Sequence, residues 1–238
     1  MENNIYGYNP EREERGSALT FSSLMSKVYV WMTLALLTTG LTAYYVATNE
    51  QILYTLVNTP GIMFGLLIAE LAVVITLSAR VMKMSFATAG IMFALYSILN
   101  GTTLSLILMA YTMESIATTF FVTAGTFGAM SIVGMFTKKN LSGMGRFLIM
   151  ALIGLIIATI VNMFVASTAF GWVLTYAGVL IFCGLTAYDT QRMKQILMNM
   201  EYAGDTNMLK IALLCSLSLY LDFINLFLYM LRIFGDRE

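Results

Sequence analysis

Apolar runs and short polar breaks alternate seven times along this chain. After a polar opening stretch, hydrophobic segments fall at about 27–47, 61–80, 86–110, 115–137, 146–166, 171–190 and 209–234. Each is near the ~20 residues that a helix needs to cross ~30 Å of hydrocarbon. None shows the in–out alternation of a barrel strand, and helices are the other way to satisfy every backbone polar group in lipid. The pattern predicts an all-α integral membrane protein with seven transmembrane helices. The breaks are short except at 48–60 and 191–208, which leaves no room for a second domain. Residues 27–238 therefore read as one membrane domain. Residues 1–26, with the run Glu11-Arg12-Glu13-Glu14-Arg15, read as a solvated cytoplasmic tail. That run is acidic where a signal peptide is basic. Small residues stand four apart in Gly61/Gly65/Ala69, Ala124/Gly128 and Gly154/Ala158, a spacing that permits close helix contact in lipid.

The cations sort by turn. Arg12, Arg15 and Lys27 precede or open the first span, Arg80 and Lys83 follow the second, Lys138, Lys139 and Arg146 follow the fourth, and Arg192, Lys194 and Lys210 follow the sixth. The other three turns hold none. This alternation places the N-terminus in the cytoplasm. Seven crossings then put the C-terminus outside, against which Arg232 and Arg237 weigh.

Composition agrees and narrows the chemistry. The chain is 59% hydrophobic and 11% charged, where a soluble domain carries about 25% charged residues. Its zero net charge argues against nucleic acid as a partner and leaves the lipid bilayer as the surrounding medium. Histidine is absent, which removes the commonest metal ligand and the usual general base. Cys183 and Cys215 both lie in apolar stretches and read as buried free thiols. The 19 methionines read as apolar filler, and no resident cofactor is expected.

Three acids interrupt the apolar spans. Asp222 has Lys210 and Arg232 as its nearest charged neighbours in sequence. With Ser218, Asn225 and Tyr229 it forms one polar stripe of helical period. A carboxylate at that depth costs at least ~2.5–3.5 kcal/mol unless it faces protein or water, so other helices must wrap the last span. Asp189 lies near the inner end of the sixth span, in Tyr188-Asp189-Thr190-Gln191. If that helix runs on toward Met198, antiparallel packing brings Asp189 and Asp222 to nearly one depth. Two carboxyls sharing a poorly hydrated site cannot both ionise cheaply, and such a pair shares protons or takes up a cation. Calcium, which prefers oxygen ligands, suits it. The plainer alternative for Asp189 is an interfacial acid beside Arg192. Glu70, within the second span, is either an ion-binding group of a pore, with Asn225 and Ser218, or an interhelical hydrogen-bonding group. Arg80, at the end of the same span, is placed to lie over the aspartates.

Enzymatic readings fail. An intramembrane aspartyl protease needs Gly-x-Gly-Asp where this chain has Leu219-Tyr220-Leu221-Asp222, and a later proline that is missing after Pro60. A rhodopsin-like pigment needs a lysine inside the last span, and rhomboids and metalloproteases need histidine.

Several of these residues carry a family resemblance. Ser216-Leu217-Ser218-Leu219-Tyr220-Leu221-Asp222-Phe223-Ile224-Asn225-Leu226-Phe227 with Leu231-Arg232-Ile233-Phe234-Gly235, Ala187-Tyr188-Asp189-Thr190-Gln191, and Ile68-Ala69-Glu70-Leu71-Ala72 resemble the Bax inhibitor-1 family, in its bacterial members. The resemblance implies two three-helix layers around a central seventh helix. It also implies a pH-sensitive calcium leak governed by an aspartate pair, here Asp189 and Asp222, with Arg80 as the arginine that closes on them. The bacterial-type motif, with the short loops and the lack of a presequence, favours a bacterial inner membrane over a eukaryotic internal membrane. The alternative the resemblance leaves is an interaction protein that modulates a membrane-bound quality-control protease and transports nothing.

Overall fold

A computed structural model describes residues 10–198 and 205–236. Among these the elements in chain order are α1 (Pro10–Thr48), α2 (Glu50–Asn58), α3 (Pro60–Arg80), a 3-10 turn (Val81–Lys83), α4 (Phe86–Leu108), α5 (Met113–Phe136), α6 (Ser142–Val165), α7 (Thr168–Met198) and α8 (Asp205–Phe234). All the helices but α2 are long and apolar enough to cross a membrane, seven in total. The breaks carry helix caps that take up backbone N–H groups otherwise left unpaired. Asn49 accepts from the Ile52 amide at 3.1 Å, Ser85 from Thr88 at 3.0 Å and Thr112 from Ser115 at 3.3 Å. The turn from α6 to α7 passes through Ala166 at φ 53°, in the left-handed region, with Asn162 Oδ1 accepting from the Ser167 amide.

α8 is the axis. Of the residues in its apolar span 67% are buried in protein, against 6% for α3 and 11% for α6. It packs on α1 and α4 at one side and on α5 and α7 at the other, while α3 leans on α4 and α6 on α7. Two three-helix layers thus enclose the seventh span, as the cost of burying Asp222 requires. Gly101 and Gly134 mark the tightest crossings. A Cβ at Gly101 would come within 2.8 Å of Thr42 on α1, and one at Gly134 would overlap the Ala187 carbonyl on α7.

Three boundaries differ from those read in the sequence. The expected tail 1–26 gives way to helix from Pro10, and its later part belongs to the core: Leu24 and Met25 are buried. The expected loop 48–60 holds α2, which buries Leu56. α7 continues past 190 to Met198, burying Met193 and Leu197. The aromatic stretch Tyr6–Tyr8 and Arg237 lie outside the described residues.

One side of the bundle is open. α1 and α5 both pack on α8 and leave between them a groove of about 860 Å³, walled by Leu36, Gly40, Ala124 and Gly128 with Phe223 of α8 as part of its floor. At one end of the bundle Lys210 reaches the Met82 carbonyl of the 3-10 turn at 3.4 Å. The other end of α8 is strapped to the α4–α5 turn: the Thr112 amide donates to the Asp236 carbonyl at 3.1 Å, and the Asp236 amide to Ser115 Oγ at 3.0 Å. The chain after α8 therefore emerges at the end opposite the basic turns. Arg232 lies there, its guanidinium over Gly171.

Candidate functional site

Asp222 sits midway along α8 and is 6% exposed. Its Oδ2 has no hydrogen-bond partner. The charge that bears on it is that of Asp189 on α7. Asp189 is half-buried and hydrogen-bonds Ser218, which stands one turn before Asp222 on the same face of α8. The extension of α7 to Met198 is what makes this possible, because Asp189 then lies nine residues, or ~13 Å, inside the helix end. The two aspartates and Ser218 singled out in the sequence do come together.

A small cavity of about 80 Å³ opens beside them, lined by Asp189, Arg192, Ile196, Leu214, Cys215 and Ser218. Arg192, three residues after Asp189 on α7, is the cation that acts on that carboxylate. Arg80 is not. It is exposed at the end of α3 and pairs with no described residue, so the expected arginine latch over the pair is absent from this arrangement. The reason is the layering: α3 leans on α4 and lies at the periphery, while the acids are carried by α7 and α8, which pack on each other.

Glu70 also stands apart from the pair. It is 9% exposed on α3, accepts a hydrogen bond from the Thr103 hydroxyl of α4, and is bonded by the Asn100 side chain. Asn225, expected on the same stripe as Asp222, donates to its own helix at the Leu221 carbonyl, 2.8 Å away. Glu70 is thus engaged between α3 and α4, and the Asn225 amide nitrogen is tied to its own helix.

Two side chains near the site, Gln191 and Tyr220, have no place in the sequence-based reading. Arg192 was legible as an i, i+3 neighbour of Asp189. Gln191, 6% exposed, bridges the α5–α6 loop by accepting from the Leu141 amide and donating to the Lys139 carbonyl, both at 2.8 Å. It thereby fixes α7 next to Asp189. Tyr220, fully buried, hydrogen-bonds Asn100 and Thr39; nothing along the chain distinguishes it from a packing aromatic.

Among the described residues no three Asp, Glu or Cys side chains gather as a metal site. Two carboxylates and one hydroxyl fall short of the six to eight oxygens of a resident calcium. The arrangement suits a passing or weakly held cation better. Besides Asp222 Oδ2, the hydroxyls of Thr119 and Ser131 on α5 and Thr190 on α7 are buried without a partner. Buried oxygens of this kind are ones that water or an ion can satisfy.

The family model described as "Inhibitor of apoptosis-promoting Bax1" matches residues 21–238. The chain is 49% identical over 214 residues to the inner membrane protein YbhL of Escherichia coli K12, covering 90% of this chain and 92% of that one. It is 40% identical over 227 residues to an uncharacterized protein of Borreliella burgdorferi, covering 95% and 97%. A Deinococcus radiodurans relative is 39% identical over 216 residues, 91% of each chain.

Proposed function

We propose, for a chain that belongs to the Bax inhibitor-1 family and spans the membrane seven times, that the Asp189–Asp222 pair governs a pH-sensitive calcium leak. The observation that carries this is Asp222 itself: a carboxyl 6% exposed, with one oxygen unpartnered and a second acid acting on it. Most buried polar side-chain atoms have a hydrogen-bond partner, so this oxygen calls for an explanation. Two carboxyls in so dry a site cannot both carry charge cheaply, so protons and cations compete for the same oxygens. The cavity at Asp189 and Ser218 supplies an approach, with Arg192 at its edge. Three further buried hydroxyls, Thr119 and Ser131 of α5 and Thr190 of α7, are also without a partner. No covalent chemistry and no cofactor enter this reading.

Location in a bacterial inner membrane rests on the name of the Escherichia coli relative. A cytoplasmic N-terminus rests on the distribution of lysine and arginine. The test is calcium flux into liposomes that contain only this protein, followed between about pH 5 and 8. Wild type leaks with a pH dependence that Asp189→Asn and Asp222→Asn each abolish. Absence of flux at every pH overturns the reading.

A second reading has one observation in its favour. The open groove between α1 and α5 is apolar and reaches the central helix, as a binding face for another membrane protein would. On that reading the chain modulates a membrane-bound protease and carries no ion. Co-purification of such a partner, unaffected by Asp189→Asn and Asp222→Asn, favours it.

A further inference from the structure

The polar anchorage of α8 at the level of Asp222 is one-sided. Tyr220 and Asp222 are two residues apart, about 200° around the helix, so they look in opposite directions. On the Asp222 face the side-chain tie one turn away is Ser218 to the Asp189 carboxyl of α7, and the next is Tyr229 to Thr159 of α6, nearly two turns further on. Asp222 Oδ2 itself holds nothing. On the Tyr220 face four helices meet through one connected set of bonds. The phenol donates to Asn100 Oδ1 of α4 at 3.2 Å and lies 2.7 Å from Thr39 Oγ1 of α1, which donates to the Ser97 carbonyl of α4 at 3.0 Å. Asn100 also bonds Glu70 of α3, and Thr103 donates to the same carboxylate. The ring is held edge-on by Phe93 and Tyr96, with centroids 5.7 and 5.9 Å away.

We infer that Tyr220, tied to Thr39 and through Asn100 to Glu70, is a positioning residue that sets how α8 presents Asp222 to Asp189. The clasp is a fixed point on the central helix, and Asp222 is carried on a rigid arm from it. Three contacts converge on the Tyr220 and Thr39 hydroxyls, which own two protons between them, so the bonds act as one unit and loss of one member weakens the others. Glu70 on this account holds the outer layer and is not an ion ligand. Of the titratable and charged groups, Asp189 of α7 is the one that acts on Asp222; Arg192 of α7 and Cys215 of α8 lie beside Asp189, and Glu70 of α3 and Tyr96 of α4 lie about Tyr220 on the clasp side. The inference rests on the pair being the proton-sensitive element, and its test reads α8 without any flux.

In a Cys183→Ser background, Cys215 is the remaining thiol of the sequence, 8% exposed, lining the cavity beside Asp189. Its rate of labelling by a small methanethiosulfonate reagent reports the placement of α8. Tyr220→Phe keeps the ring packing and removes the hydroxyl, and Glu70→Gln keeps the shape and replaces the carboxyl by an amide. Each is expected to change that rate about threefold or more, and the double variant no further than the larger single, because the residues act as one unit. Infrared titration of the carboxyl band that Asp222→Asn deletes is expected to move its midpoint by about half a pH unit in both singles. Thr123→Val, which removes a hydroxyl contact from α5 to Met230 of α8, serves as control and moves neither. Unchanged labelling in Tyr220→Phe, a fixed midpoint despite changed labelling, or an equal effect of Thr123→Val overturns the inference. If the wild-type pair does not titrate, the labelling still decides the clasp, and the leak reading alone falls.

Discussion

Gly128 and Gly134 of α5 offer a matched comparison for the packing that places Asp189. Both are helical glycines, and replacing either by alanine recovers about 0.5–1 kcal/mol of helix propensity. Their surroundings differ completely. A Cβ at Gly128 meets nothing within 4 Å, because it faces the groove. A Cβ at Gly134 would stand 2.9 Å from the Ala187 carbonyl carbon and 3.0 Å from its Cα. These are backbone atoms of α7 that no rotamer change can move aside. Overpacking of that kind costs about 1–3 kcal/mol. Gly128→Ala is therefore expected to stabilise by about 0.5 kcal/mol and Gly134→Ala to destabilise by about 1–2 kcal/mol, a difference near 2 kcal/mol. Reversible unfolding in mixed micelles of rising dodecyl sulfate fraction measures both. Ala187 lies two residues before Asp189, so the same push alters the pH response of flux in Gly134→Ala and leaves it intact in Gly128→Ala. A difference in stability below about 0.5 kcal/mol would show that α5 and α7 do not meet at this crossing.

Two further outcomes separate the cations and the cost of the central acid. Arg80→Ala should leave the pH profile of flux unchanged, whereas Arg192→Gln, which strips the cation from Asp189, should displace it; the reverse result would restore the latch over the pair to Arg80. Asp222→Leu should unfold within about 1 kcal/mol of wild type or later, since a buried oxygen without a partner costs about 1–3 kcal/mol. A loss of about 3 kcal/mol in the same micelle assay would mean that this oxygen is satisfied.

The seven spans were legible because each is a run of apolar residues long enough to cross lipid, and the burial of α8 followed from the price of one carboxylate in hydrocarbon. The ends were less so. The start of α1 is written in charged residues that a helix tolerates once Leu24, Met25 and Val28 pack below it. α2 is too short to register as a hydropathy feature. The meeting of Asp189 with Asp222 was readable from two helix ends and antiparallel order. Arg80 misled because position along a span says nothing of which layer the span occupies. The roles of Tyr220 and Gln191 depend on partners more than a hundred and about fifty residues away in the chain, and no local pattern encodes those.

The helix at the centre of the bundle is the last of the seven spans in chain order. A ribosome delivers the N-terminal elements first. Six helices therefore enter the membrane before the one they enclose, with Thr39, Glu70 and Asn100 awaiting a phenol not yet made. The flank between α1 and α5, where the finished bundle is still unsealed, is the side on which a late-arriving helix meets the least protein to displace. Assembly of this protein is thus closed from its end inward, and a chain halted before α8 leaves a shell without an axis.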